Sequence, residues 1–164
     1  MKRVFIDMDG SVARFHAKQN YLEEMYEETF FRNLDPYARI VAAIKKFAQK
    51  HPEVELCILS AYPLSSFAEK EKNEWLDEFL PIKERIFLKA GDKKSDYIPE
   101  ISKDDYLLDD YTKNLLEWTD AGGTGIKVKN ELNCRSGIWK GEKVDVFNSS
   151  DEIVQDLERI LGLG

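Results

Sequence analysis

Short apolar runs alternate along this chain with longer stretches in which apolar residues return every three or four positions. Residues 4–7 (V-F-I-D), 54–59 (V-E-L-C-I-L), 85–89 (R-I-F-L-K) and 106–109 (Y-L-L-D) are such runs, several closing on a polar residue. Bounded by turn-forming residues, they predict buried strands. A fifth strand is expected at 126–128, after Ala-Gly-Gly-Thr-Gly, and a late hairpin from 139–141 and 144–146. Between the runs, Ile40, Ala43, Ile44 and Phe47 mark one face of a helix reaching about His51. Asp35-Pro36 is expected to open it, as N-cap and first helical residue. A helix over 65–80 places Ala68, Trp75, Leu76 and Phe79 at helical spacing. A closing helix over 150–161 turns Ile153, Leu157, Ile160 and Leu161 inward, and Ser149 with Glu152 reads as its capping box. Residues 14–34 are polar and aromatic-rich, with partly helical character, and 90–104 suit a long polar loop.

Strands alternating with amphipathic helices predict an α/β fold: a three-layer, Rossmann-like parallel sheet covered on both faces. Ligands of such sheets bind beyond the carboxyl ends of the strands. The size, 164 residues and 19.0 kDa, suits one domain with its own core. Its 24 basic and 31 acidic residues give a net charge of −7. That balance argues against a nucleic-acid polymer or a membrane as partner, since both reward lysine and arginine. It leaves room for a small anion held by a few local cations and a metal. Cys57, inside an apolar run, reads as a buried free thiol and Cys134 as a loop thiol. With no disulfide framework and no signal-like segment, a cytoplasmic protein is expected.

The residues at the strand ends are Asp7, Asp9, Ser60 and the pair Asp109–Asp110. Any one aspartate there is an ordinary turn residue. Several together repel one another unless a cation neutralises them, and hard oxygen donors select magnesium.

Asp7-Met8-Asp9-Gly10-Ser11-Val12-Ala13 resembles the D-x-D-G-x-x-A signature of the haloacid dehalogenase-like phosphatases, and more narrowly their 5'(3')-deoxyribonucleotidase branch. Ile58-Leu59-Ser60 is similar to the second motif, and Leu107-Leu108-Asp109-Asp110 to the fourth. Lys72-Asn73-Glu74-Trp75 resembles the K-x-x-W segment that supplies the branch's motif-three lysine, and Phe30-Phe31-Arg32-Asn33-Leu34 its cap region. The resemblance spans about residues 4–112, with the motifs in the family's order. It implies one haloacid dehalogenase-like domain with a small helical cap at about 14–34. The activity implied is a magnesium-dependent phosphomonoesterase, a nucleotidase acting on nucleoside monophosphates. The alternatives are a phosphatase for another small phosphomonoester or a non-catalytic phospho-receiver.

The chemistry assigns roles. Asp7 is the expected nucleophile, forming an aspartyl-phosphate, and Asp9 the general acid and base. Gly10 permits a sharp turn close to the phosphate. Ser60 and backbone near Ala61 bind phosphoryl oxygens, and Lys72 balances charge. Asp7, Asp9 and, as the resemblance implies, Asp110 are the expected magnesium ligands, with Asp109 supporting. Phe15, Phe30 and Phe31 are either core or a cap that stacks a nucleobase, a contact worth about 1–3 kcal/mol. The resemblance implies a basic substrate contact past the third strand, assigned to Lys93, although Lys94 could serve instead. His16 and His51 form no ligand pair. A homodimer is left open.

Overall fold

Val4 and Ile6 belong to one layer of the core and Phe5 to the other, an alternation that every strand of a sheet buried on both faces must show. The computed structural model describes residues 1–17, 20–133 and 137–164. In chain order the elements are β1 (Arg3–Ile6), a 3-10 turn (Phe15–Ala17), α1 (Tyr21–Glu24), α2 (Ala38–Lys50), β2 (Glu55–Tyr62), α3 (Ala68–Phe79) and β3 (Arg85–Lys89). A second 3-10 turn (Lys94–Tyr97) precedes β4 (Asp105–Asp109), α4 (Thr112–Asp120), β5 (Thr124–Lys129), β6 (Glu142–Asp145) and α5 (Ser150–Leu161). The strands form one sheet in the order β3-β2-β1-β4-β5-β6, and every pairing is parallel. The chain therefore winds outward from β1 to β3, then returns to the other side of β1. The crevice between β1 and β4 is the switch point at which doubly wound sheets bind ligands.

One layer packs Val4, Ile6, Leu108 and Ile126 against Ile40, Ile44 and Phe47 of α2 and Ile153, Leu157 and Leu161 of α5. The other packs Phe5, Leu59 and Leu107 against Leu115 and Trp118 of α4, with Ile98 and Trp139. Each fully buried aliphatic or phenyl side chain contributes about 1.5–3 kcal/mol. The indole N–H groups are satisfied: Trp118 donates to the Asp105 carbonyl at 2.9 Å and Trp75 to the Leu34 carbonyl at 2.8 Å. At α5 the expected cap is present. Ser149 Oγ accepts from the Glu152 amide at 3.2 Å, and Gly162 ends the helix in the left-handed region.

Several expected boundaries move, each for a physical reason. Asp35-Pro36 does not open α2. Arg14 N donates to Asp35 O and Tyr37 N to Val12 O, so residues 35–37 run extended beside 12–14 and the helix starts at Ala38. The late hairpin is absent: β6 pairs parallel with β5, and Trp139 lies in the core instead of in a strand. A Cβ on Gly125 would come within 2.8 Å of that indole, so glycine admits it. The sequence reading contains no helix at α4, which supplies Leu115 and Trp118 to the second layer. β2 continues two residues beyond Ser60, to Tyr62. Cys57 is half-buried, and burial, with Glu84 nearby, pushes its thiol up to about 11. Cys134 lies outside the described residues. Among the described residues no helix is long and apolar enough to cross a membrane.

Residues 20–34 fold as α1 and a series of turns tied to α3. The buried Glu71 carboxylate accepts from the Thr29 amide at 2.8 Å and the Arg32 amide at 3.1 Å. These bonds hold Thr29 at a φ of 71°, a left-handed conformation that threonine adopts only under such constraint.

Candidate functional site

The loop after β1 turns back at once. The Ser11, Val12 and Ala13 amides all donate to the Met8 carbonyl, and Gly10 takes a φ of 84°. Gly10 is required twice. Its φ is unfavourable for other residues, and a Cβ there would stand 2.2 Å from Asp110 Oδ2. The tight turn thereby admits the Asp110 carboxylate. Oxygens of Asp7, Asp109 and Asp110 lie within 4.8 Å of one another.

Two buried lysines enter this acidic cluster from different elements. Lys94, 3% exposed on the turn after β3, donates to Asp7 Oδ1 at 2.8 Å and to Asp109 Oδ2 at 2.6 Å. Lys72, 1% exposed on α3, donates to Asp9 Oδ2 at 2.6 Å and to Ser60 Oγ at 3.1 Å. The Phe31 ring covers the Lys72 ammonium, 4.7 Å from its centroid. Ser11 Oγ donates to Asp7 Oδ2 at 3.2 Å. Asp109 is fully engaged: the Tyr111 amide donates to Oδ1, and Lys94 and Asn114 to Oδ2. His16 Nε2 lies 3.4 Å from Asp110 Oδ2.

Burial pushes the Asp7 carboxyl up to about 6, opposed by the Lys94 ammonium and reinforced by Asp110 and Asp9. Burial likewise raises Asp109 and Asp110. Burial alone would lower Lys94, but the Asp109 and Asp7 carboxylates outweigh it and hold the ammonium charged. Four carboxylates (Asp7, Asp9, Asp109, Asp110) thus meet two directly paired lysines and His16, an arrangement whose remaining negative charge a divalent cation would offset. The donors are hard oxygens, which fits magnesium. With both Asp109 oxygens already accepting from protein donors, Asp7 and Asp110 are the carboxylates better suited to hold it.

The sequence-predicted residues fare differently. Asp7, Asp109 and Asp110 come together. The Asp9 carboxylate does not join them, because Lys72 draws it aside, and its Oδ1 is buried without a protein partner. Lys72 reaches Asp9 and Ser60 rather than Asp7, and the lysine against Asp7 is Lys94. Lys93 is exposed, its side chain outside the cluster. Ser60 is wholly buried within β2, its Oγ occupied by Lys72, and Ala61 follows half-buried. Phe15, Phe30 and Phe31 are 8%, 7% and 2% exposed. They pack on one another, Phe15 with Phe30 and Phe30 with Phe31 edge to face, so the core reading of these rings is the one the structure shows.

Other residues at the site escaped the sequence reading. Lys127, within β5, donates to the Asp110 carbonyl at 3.2 Å and to Thr112 Oγ1 at 2.5 Å. Asn130 and Asn133 reach Asp110 from the turn that follows. The rule that directs attention to residues just past each strand, applied to the fifth, points to Asn130.

No family model matches the sequence, and neither does any curated protein. Solved structures do. A D,D-heptose 1,7-bisphosphate phosphatase from Burkholderia thailandensis is 11% identical with a TM-score of 0.62, over 96% of this chain and 98% of that one. The corresponding B. bronchiseptica phosphatase, complexed with magnesium and phosphate, is 13% identical with a TM-score of 0.62, over 97% and 99%. A HAD hydrolase, family IA, variant 3, from Entamoeba histolytica is 13% identical with the same TM-score, over 99% and 100%. This likeness is one of fold: the chain has the haloacid dehalogenase-like α/β architecture.

Proposed function

We propose that this chain is a magnesium-dependent phosphomonoesterase working through an aspartyl-phosphate on Asp7. The observation that carries the reading is the buried Lys94 bridging Asp7 and Asp109 beside Asp110, at the switch point of the sheet. A phosphate dianion repels a bare carboxylate, so an attacking aspartate needs fixed positive charge beside it. Lys94 supplies one such charge. Magnesium, held by Asp7 and Asp110, would supply the rest by neutralising the phosphoryl oxygens. That a phosphatase of this fold is complexed with magnesium and phosphate accords with the assignment.

In the first step an Asp7 oxygen bonds to phosphorus as the bond to the alcohol oxygen breaks, and the departing alkoxide takes the proton that Asp9, released by Lys72, has first taken up from solvent. In the second step Asp9 accepts a proton from water, whose oxygen bonds to phosphorus as the phosphorus–oxygen bond of the Asp7 acyl phosphate breaks. Phosphate leaves and Asp7 is restored. Lys72 joins Asp9 to Ser60, so turning its ammonium toward a phosphoryl oxygen frees the Asp9 carboxylate for proton transfer. Ser60, bonded to Lys72, and the backbone at Ala61 would bind the phosphoryl oxygens beside it. An intrinsic acid and base two residues from the nucleophile argues for turnover rather than for a phospho-receiver.

The D-x-D-G-x-x-A resemblance favours a nucleoside monophosphate as substrate. The burial of Phe15, Phe30 and Phe31 favours a second reading, another small phosphomonoester, because those rings offer no open face to a base. Phosphate release from a panel of nucleoside monophosphates, sugar phosphates and an aryl phosphate decides between them. Preference for nucleotides is expected on the first reading, and sugar or aryl esters turning over better would select the second. Excess chelator should stop release and magnesium restore it. Full activity in chelator, or a phosphorylated protein that never turns over, would overturn the proposal.

A further inference from the structure

Asn130 is a polar side chain only 2% exposed, sitting one residue past β5, and every hydrogen-bonding position of its amide is used. Its Oδ1 accepts from the Leu132 amide at 2.9 Å and the Asn133 amide at 3.2 Å. Those two donors fix which way the amide faces, so Nδ2 must point the other way. Nδ2 donates to the Gly10 carbonyl at 2.8 Å and lies 3.5 Å from Asp110 Oδ2. The Asn130 amide in turn donates to Asn133 Oδ1 at 2.7 Å. Asn133 Nδ2 then donates to the Asp110 carbonyl at 3.0 Å and the Val128 carbonyl at 2.9 Å.

The bonds join three loops. One carries Asp7 and Gly10, the second Asp110, and the third is the 130–133 turn itself. Gly10 and Asp110 are also the pair whose close approach leaves no space for a Cβ. Two like-charged carboxylates, Asp7 and Asp110, gain nothing from proximity before a cation arrives, so contacts beyond the β1–β4 pairing behind them are needed to fix the loops that carry them. Resting on the reading of the site as a magnesium centre, we infer that Asn130 is a positioning residue that presets Asp7 and Asp110 for the cation, with Asn133 as its auxiliary. It touches neither the reacting phosphate nor the nucleophile. Removing it loosens the geometry of the metal ligands, and what falls is cation affinity.

The test is magnesium binding by calorimetry to the wild-type chain, Asn130→Ala and Asn133→Ala, each checked for folding by circular dichroism at the same temperature. The expected result is a dissociation constant raised about tenfold or more by Asn130→Ala, with a smaller rise for Asn133→Ala, as typical for residues that orient metal ligands. Raising magnesium should bring kcat of Asn130→Ala back toward wild type. A purely structural role predicts a lower melting temperature with an unchanged dissociation constant, and that result overturns the inference. Should Asn130→Ala not fold, the wild-type chain still decides. By linkage, magnesium must tighten what tightens its site, so hydrogen exchange at the Leu132 and Asn133 amides should slow on adding the ion. Unchanged exchange with magnesium bound overturns the inference. A wild-type chain that binds no magnesium instead removes the metal-centre reading on which it rests.

Discussion

The two buried lysines have different surroundings. Lys94 lies between two carboxylates on a short turn, while Lys72 projects from α3 onto one carboxylate and one hydroxyl, beneath an aromatic ring. Lys94 is compensated on both sides and has its hydrogen bonds directed at protein oxygens. It belongs to the resting framework that lets Asp7 and Asp109 be buried together. Lys72 has a single ionic partner and a neutral one that it can exchange for a phosphoryl oxygen. One lysine permits the acidic cluster to exist, and the other is free to respond to what enters it.

Substitutions can break this contrast, beginning where the effect is greatest. Asp7→Asn removes the proposed nucleophile and one partner of Lys94 together. Phosphate release should fall below about 1% of wild type while circular dichroism stays native. Lys94→Ala leaves Asp7 and Asp109 buried without their cation. Denaturant unfolding should show a loss of about 3–5 kcal/mol, as expected when one partner of a buried ion pair is deleted, and activity should vanish with it. Lys72→Met separates the two lysines. It should lower kcat by about 100- to 1,000-fold, the cost of deleting one preorganised donor, and cost less stability than Lys94→Ala. Equal destabilisation by the two substitutions would erase the distinction. Phe31→Leu uncovers the Lys72 ammonium and should cost about 1–2 kcal/mol in unfolding free energy. Ser149→Ala serves as the remote control, since it removes only the cap of α5. It should cost about 1 kcal/mol and leave kcat unchanged.

The same contrast shows what the sequence made legible. Asp7, Asp109 and Asp110 could be read because each closes a strand, and parallel strands deliver their carboxyl ends to one edge. The choice between Lys93 and Lys94 could not. The two are adjacent and chemically identical, and only the 3-10 turn at Lys94–Tyr97 decides which of them points inward. Lys72 was legible as a site lysine from the tryptophan that follows it, but its partner was not, because that depends on how α3 lies over β2. The start of α2 was misread because Asp35-Pro36 fits a helix opening equally well as the extended pairing with residues 12–14 that it makes. The α4 segment, nine residues long, buries only Leu115 and Trp118, too short a stripe to declare its period. Asn130 is signalled only by its place just past β5, and Asn133 by nothing; the value of Asn130 comes from reaching a loop more than a hundred residues earlier, and that of Asn133 from bracing the Asp110 backbone.

The strand order also has a consequence for biosynthesis. Arg3 of β1 pairs with Asp105 of β4, 102 positions later, so β1 lacks its second neighbour in the sheet until β4 has been made. Until then its apolar edge is open to the wrong partner, and contacts so distant in sequence are slow to form. The nascent protein is therefore most exposed to aggregation before β4 emerges. Its acidic cluster is completed only as that strand docks, so competence to bind a metal comes no earlier than this long-range pairing.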